Sequence, residues 1–80
     1  MAEMLLTQLK AGQAATVKEI LGGEGAIRKL GSLGIRPGKR IVKISSHFWR
    51  GPETIMVDNT KVAIGHGIAH KIMVEVHDAG

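Results

Sequence analysis

The chain has 80 residues, no cysteine, and 11 lysines and arginines against 7 acidic residues, which gives a formal net charge of +4. Its length predicts one small domain, residues 1–80, with a thin hydrophobic core, and the missing cysteines exclude disulfides and thiolate metal sites. It contains neither a run of about 20 apolar residues nor a signal-peptide pattern, so we expect a soluble, cytoplasmic chain that does not insert into a membrane.

The N-terminal part of the chain is predicted to hold a leader and one strand. Residues 1–6 are interpreted as a loose or short extended leader. Residues 15–21 are rich in β-branched side chains and form too short a stretch for a helix, which favours a strand. The glycines at 22–23 then end that strand.

One helix is predicted over residues 24–32. Ile27 and Leu30 are three residues apart and are expected to share the face that packs on the core. Gly31 inside the helix costs up to about 1 kcal/mol relative to alanine. Tight packing of this glycine against a neighbouring element would justify that cost.

The stretch KLGSLGIRPGKRI, residues 29–41, is interpreted as a corner and not as a phosphate-binding loop. Gly34 is expected to cap the helix in a left-handed conformation, and Pro37 and Gly38 are expected to turn the chain into the next strand. A Walker loop needs four residues between its glycines and a hydroxyl side chain after its lysine. Here only three residues separate Gly34 from Gly38. Pro37 also removes a backbone donor, and Arg40 replaces the hydroxyl.

The rest of the chain is predicted to be mainly β. Residues 58–60 have the composition of a tight hairpin turn, and residues 65–70 are expected to form one helical turn. In the last strand, Ile72, Val74 and Val76 are expected to face inward. The predicted strands after the helix are residues 39–45, 54–58, 61–64 and 71–76. The pattern therefore predicts a small, partly open barrel of about five strands, with one short inserted helix and a helical turn before the last strand.

Several short motifs occur in a fixed order along the chain. They are Leu9-x-x-Gly12-x-x-Ala15-x-Val17, Gly22-Gly23, Leu30-x-x-Leu33-Gly34-Ile35-x-Pro37-Gly38, Gly51-Pro52 and Ala69-x-x-Ile72-x-Val74. In this order, from about Leu6 to Val76, they resemble the ferrous iron transport protein A (FeoA) family. The resemblance implies an SH3-like barrel with the helix inserted after the first strand. It also implies a small cytosolic partner of FeoB, the membrane protein that imports ferrous iron and carries a cytosolic GTPase domain.

Two areas are predicted to contact such a partner, because each combines exposed apolar or cationic side chains with a short, rigidly based segment. The first is the helix and its exit, with candidates Lys29, Leu33, Arg36 and Lys39. The second is an aromatic loop, with candidates Phe48, Trp49 and Arg50. For the loop, an alternative stays open, in which both aromatic side chains cover an open end of the barrel as part of the core.

Two histidines have metal-ligand spacing, although the site they would form is incomplete. His66 and His70 are four residues apart and would share one face of a helical turn. A closed zinc site would lack two ligands, and His47 or His77 could join only if folding or dimerisation brought them close. We therefore expect solvated histidines, adventitious transition-metal binding at most, and no cofactor. No catalytic constellation is visible, since most acids fall at predicted turns, termini or outward-facing positions, so we do not expect an enzyme.

Three functions are open on this reasoning. The first is an accessory protein that binds and modulates FeoB, with a weak homo-oligomer also compatible with the sequence. The second is a small basic barrel whose cations contact nucleic-acid phosphates. It is disfavoured because the cations are scattered and two adjacent aromatics give few stacking platforms. The third is a regulatory module of an iron-responsive repressor system, which the lack of a helical DNA-reading domain disfavours.

Overall fold

The computed structural model describes residues 2–45 and 52–77. Within these two ranges the chain forms six strands, two short α-helices and one 3-10 turn. The strands are β1 (Ala2–Leu5), β2 (Ala14–Ile20), β3 (Arg40–Ser45), β4 (Glu53–Val57), β5 (Thr60–Ile64) and β6 (Ile72–Val76). The helices are α1 (Gly23–Ser32) and α2 (His66–Ala69), and the 3-10 turn spans Leu6–Gln8. Neither helix of the described ranges is long and apolar enough to cross a bilayer.

The six strands form one antiparallel sheet with the order β1-β6-β2-β3-β4-β5. The predicted mainly β architecture, with one helix after the first long strand and a helical turn before the last strand, is confirmed. The N-terminus differs from the prediction, because the expected leader forms the strand β1. This strand pairs with β6 and places Met4 opposite Val74. This pairing joins residues about 70 positions apart. Local sequence patterns carry no information on such a pairing.

The core is built from alternate residues of the strands. Ile72, Val74 and Val76 of β6 are buried, as their alternation predicts. Ile55 and Val57 of β4 are buried in the same way. Side chains of a strand alternate between its two faces, so each of these strands gives one face to the core.

The hairpin between β4 and β5 has the tight turn that its composition predicts. Val57 pairs with Thr60, so Asp58 and Asn59 are the two residues of the turn. Both have positive φ, 50° for Asp58 and 66° for Asn59. Positive φ at both central residues defines a type I′ turn, which matches the twist of an antiparallel pair and favours Asn, Asp and Gly.

The C-terminus of α1 is closed by a Schellman motif. Gly34 has a φ of 87°, the left-handed conformation in which glycine is preferred. The Ile35 N–H donates to the Leu30 carbonyl at 2.9 Å, and the Gly34 N–H donates to the Gly31 carbonyl at 3.0 Å. Leu30 and Ile35 are both buried, which supplies the apolar contact that accompanies this motif. The corner therefore ends the helix and anchors it to the core in one step.

A lysine lies in the middle of this core. Lys43 of β3 has no solvent-exposed surface, and its ammonium donates to the Glu53 carboxylate oxygen Oε1 at 2.8 Å. The same ammonium donates to the main-chain carbonyls of Leu6 at 3.0 Å and Leu9 at 3.3 Å. All three of its N–H donors are thus used, which is the condition for burying a charged amine. The interaction joins β3, β4 and the N-terminal turn at one point.

Glu53 is an exception to the expected exposure of the acidic residues. It is 4% exposed and lies on the same face of β4 as Ile55 and Val57. Its second oxygen, Oε2, is buried and has no hydrogen-bond partner among the described residues. The pairing with Lys43 is therefore the main electrostatic compensation for this carboxylate within the described ranges.

A second group of charges lies on the outer surface of the sheet. The Lys18 ammonium is 2.7 Å from a Glu3 carboxylate oxygen and 3.8 Å from a Glu75 carboxylate oxygen, so it connects β2 with β1 and β6. Hydrogen bonding and attraction to Glu3, with a smaller contribution from Glu75, raise the pKa of Lys18 above its ordinary value of 10.5. Its stabilising contribution is therefore complete below pH 10.5 and is lost as the pH rises through the raised value. Such an exposed pair contributes little to stability.

We expect Lys43→Met to lower the free energy of unfolding by about 3–5 kcal/mol, because it leaves the Glu53 carboxylate buried without its counter-charge. Lys61 of β5 is exposed, and Lys61→Met is the matched control. The control should change the free energy of unfolding by no more than about 0.5 kcal/mol. Urea unfolding of both variants at pH 7 measures the difference.

The double variant Lys43→Met/Glu53→Leu removes both charges and keeps apolar volume at both positions. It should recover much of the stability that the single variant loses, because no uncompensated charge remains buried. A Lys43→Met variant as stable as Lys61→Met would contradict this account of the core.

Candidate partner-binding surface

The four residues predicted for the helix and its exit occupy different environments. Lys29, Leu33 and Arg36 are exposed. Lys39 is half-buried, and its ammonium pairs with an Asp58 carboxylate oxygen at 2.5 Å. Three of the four candidates are therefore accessible to a partner, while the fourth is engaged within the protein.

The exit from α1 is held by the neighbouring strand. The Lys39 N–H donates to the Arg36 carbonyl at 3.0 Å, and Gly38 has a φ of 93°. Proline followed by a residue of positive φ is typical of a type II turn, and here the two are Pro37 and Gly38. The Gly38 N–H donates to the Val17 carbonyl, and the Val17 N–H donates to the Lys39 carbonyl, both at 2.8 Å. The turn is thus fixed to β2 through Gly38 and Lys39.

Exposed apolar surface is concentrated on α1 and its two flanks. Among the described residues, the large hydrophobic side chains with the most solvent-exposed surface are Leu21 at 40%, Ile27 at 45% and Leu33 at 42%. All three belong to the 13-residue stretch from 21 to 33. We use the name α1 surface for the exposed side chains of α1 and its two flanks that are considered for docking, which are Leu21, Ile27, Lys29, Leu33 and Arg36.

The orientation of Ile27 differs from the prediction. It was expected to share the core face with Leu30, but Leu30 is 1% exposed and Ile27 is 45% exposed. Positions three apart are rotated by about 60° around a helix, and α1 contacts the core through a narrow stripe. The spacing of Ile27 and Leu30 predicts that Ile27 faces the core. In the structure Ile27 is exposed and therefore belongs to the α1 surface.

The chain from residue 21 to residue 40, which includes α1 and its exit, is strongly basic. Residues 21–40 contain five cationic residues and one acidic residue, Glu24. The cations are Arg28, Lys29, Arg36, Lys39 and Arg40. Apart from Lys39, which pairs with Asp58, each is exposed. The apolar side chains of the α1 surface therefore lie within a positively charged part of the protein.

At two positions in α1, the contacts of the described residues do not require glycine. Gly25 and Gly31 lie inside the helix, and a Cβ atom built on either one would meet no heavy atom within 4 Å. The tight packing that would justify the cost of Gly31 is therefore not found among the described residues. Each glycine weakens the helix by up to about 1 kcal/mol relative to alanine.

The second predicted contact area, formed by Phe48, Trp49 and Arg50, lies outside the described residues. The strands on either side are described, and the Lys43–Glu53 ion pair joins them. The role of these three residues remains a prediction.

The two histidines with metal-ligand spacing do come together. His66 begins α2 and His70 follows its last residue, and the two ring centres are 4.5 Å apart. His77 is elsewhere in the fold, where its Nε2 lies 2.6 Å from the Thr16 hydroxyl. In the described part of the chain, no three histidine, cysteine or acidic side chains form a group suited to holding a metal ion.

Comparison with known proteins identifies the family. The FeoA domain model matches residues 4–76. The chain belongs to the FeoA family. A putative Fe(2+) transport protein A of Methanocaldococcus jannaschii is 39% identical over 71 residues, which cover 89% of this chain and 84% of that protein. FeoA proteins are iron transport accessory proteins, so the chain is a member of a family involved in ferrous iron transport.

Solved structures confirm the fold. A crystal structure described as an iron uptake regulatory protein (FeoA) has a TM-score of 0.88 and 35% identity, over 96% of this chain and 100% of that one. A manganese-dependent transcriptional repressor has a TM-score of 0.85 at 22% identity, and the match covers 94% of this chain and 42% of the repressor. The second similarity shows the fold alone. The expected SH3-like fold of the FeoA family is thus confirmed.

Two glycine-to-alanine changes at the corner of α1 should have opposite effects. Gly31→Ala should raise the free energy of unfolding by up to about 1 kcal/mol, because the helical backbone suits alanine and the space is open. Gly34→Ala should lower it by about 1 kcal/mol, because a Cβ atom strains a residue with positive φ. Urea unfolding of both variants against wild type measures the two signs. Two changes of the same sign would contradict the assigned helix end.

Proposed function

We propose that this chain is an accessory protein of ferrous iron uptake that docks on the cytosolic, GTPase-containing part of a FeoB-type transporter and modulates it. The observation that carries the proposal is the position of the exposed apolar side chains. Among the described residues, all three large ones flank or belong to α1. Leucine and isoleucine side chains exposed on one segment are candidates for contact with another protein.

The chemistry of the α1 surface specifies the kind of partner surface. Arg36 lies on the segment that leaves the helix, three residues after Leu33. Arg28 and Lys29 lie on α1 itself. A partner that buries these side chains must offer apolar pockets for the leucine and isoleucine and carboxylates for the cations. Charge complementarity of this kind accelerates association and sets orientation, while the apolar anchors supply most of the affinity.

The α1 surface is also well anchored for docking. The Schellman motif and the buried pair Leu30 and Ile35 fix the C-terminal end of α1 to the core. The turn at Pro37 and Gly38 is hydrogen-bonded to β2. A surface that is held in one conformation before binding loses less entropy when it binds. Docking through α1 is therefore expected to need little rearrangement of this protein.

The aromatic loop is retained in the proposal as a second contact. Trp49 and Arg50 belong to the residue types that dominate binding hot spots, and Phe48 precedes them. The ion pair between Lys43 and Glu53 joins the strands from which this segment starts and ends.

We expect Leu33→Glu to weaken binding to the purified cytosolic part of FeoB from the same organism by at least about tenfold, equivalent to 1.4 kcal/mol. The change places a carboxylate in the apolar pocket of the partner that would bind Leu33, and burial of an unpaired carboxylate is unfavourable. Lys29→Glu should mainly slow association, and the difference from wild type should shrink as salt concentration rises. Surface plasmon resonance at two salt concentrations measures both effects.

Lys61→Glu is the matched control, because it makes the same charge change on the exposed face of β5. It should bind nearly as wild type does. If Lys29→Glu and Lys61→Glu slowed association equally, the effect would come from the overall charge of the protein. That result would contradict docking through α1. Absence of binding by the wild-type chain, together with unchanged ferrous iron uptake after its deletion, would contradict the proposed function.

A further inference from the structure

The pair His66 and His70 has a geometry that the proposed function does not use. The two residues are one turn apart, and the His70 N–H donates to the His66 carbonyl at 3.1 Å. His70 has φ −66° and ψ −13°, so the helical conformation continues through it. Side chains four residues apart on a helix lie on the same face. Both imidazoles are at least partly accessible to solvent.

The spacing of the rings suits binding of one cation by both. A metal ion about 2.0–2.1 Å from an imidazole nitrogen lies about 3.2 Å from the ring centre. Two imidazoles that bind at about 90–110° to each other therefore have centres about 4.5–5.2 Å apart. The observed distance between the centres is 4.5 Å. The rings meet edge to face at an interplanar angle of 61°, and chelation requires the side chains to turn so that one nitrogen of each ring faces the cation.

The surroundings of α2 fix the position of the pair. Ala69 is completely buried and Ile68 packs against the core, which seats the short helix on the protein body. The Nδ1 atom of His70 is 3.2 Å from the Thr7 hydroxyl, within the 3-10 turn. In the tautomer in which Nδ1–H donates to this hydroxyl, the lone pair of Nε2 is free for a ligand. In metal sites, the ring nitrogen that does not bind the metal usually donates a hydrogen bond, and this hydrogen bond orients the ring.

We propose that His66 and His70 form an open, two-imidazole site for a divalent first-row transition cation. Imidazole nitrogen suits zinc, copper, iron and nickel in this class. Within the described ranges no third histidine or acidic side chain joins the group, so the other coordination positions take water or an exchangeable ligand. The site is therefore of modest affinity and open to exchange, unlike a closed structural zinc site. The proposal does not depend on docking to FeoB.

A chelate makes a distinct prediction from two independent histidines. When one cation is held by both rings, binding of the second ring is intramolecular and raises the affinity well above that of a single imidazole. We expect wild type to bind one Ni²⁺ per chain in a non-coordinating buffer at pH 7.5. His66→Ala and His70→Ala should each weaken this binding at least about tenfold. Isothermal titration calorimetry with NiCl₂ measures stoichiometry and affinity.

The matched control is His77→Ala, which removes another exposed histidine with a hydroxyl neighbour. It should bind Ni²⁺ as wild type does. Unchanged affinity in both His66→Ala and His70→Ala, or a loss in His77→Ala equal to theirs, would overturn the proposal. So would wild-type binding that is no tighter than that of free imidazole.

A second measurement uses the unmodified protein, in case a variant folds poorly. Substoichiometric Ni²⁺, which is paramagnetic, should broaden the ring proton signals of His66 and His70 together and leave the signal of His77 sharp. Equal broadening of all three signals would show independent binding and overturn the chelate.

Discussion

The buried ammonium of Lys43 joins the N-terminal turn, β3 and β4 at one point of the core. It donates to the Glu53 carboxylate and to the carbonyls of Leu6 and Leu9, and so connects three segments that are far apart in sequence. Its own backbone also bonds to the turn before β2, since the Lys43 N–H donates to the Gln13 carbonyl at 2.9 Å. In a chain with so thin a core, a buried ammonium is tolerated only when its donors are satisfied and its charge is paired. The Lys43 ammonium uses all three of its N–H donors, and the Lys43 main-chain N–H is hydrogen-bonded as well.

The ion pair also relates the fold to the proposed function. Lys43 and Glu53 lie near the end of β3 and at the start of β4, on either side of the segment that carries the predicted aromatic contacts. The α1 surface is held separately, by the Schellman motif and by the turn that bonds to Val17. The two candidate contact areas are therefore based on different parts of the same sheet. Binding residues are often carried by the connecting segments of a rigid scaffold.

The sequence was informative wherever local physical chemistry decides the structure. The alternation in β6, the two-residue turn at Asp58 and Asn59, and the end of α1 at Gly34 follow from side-chain periodicity and positive φ. The edge strand β1 and the exposure of Ile27 depend on contacts between distant elements, and the sequence predicted neither. The pairing of Lys43 with Glu53 was missed for the same reason. The available signal was that Glu53 alternates in phase with buried residues of β4. An acid at an inward position indicates a buried partner.

Observation of the Lys43 ammonium by nitrogen-15 NMR at pH 7 tests whether this group is buried and paired as described. We expect a side-chain signal with slowly exchanging protons, because the ammonium is shielded from solvent and all of its donors are hydrogen-bonded. Substituting Glu53→Gln should shift that signal and speed its proton exchange. The exposed Lys61 serves as the internal comparison, since water exchanges its protons rapidly. A Lys43 signal with the exchange behaviour of Lys61 would contradict the central role of the buried ion pair.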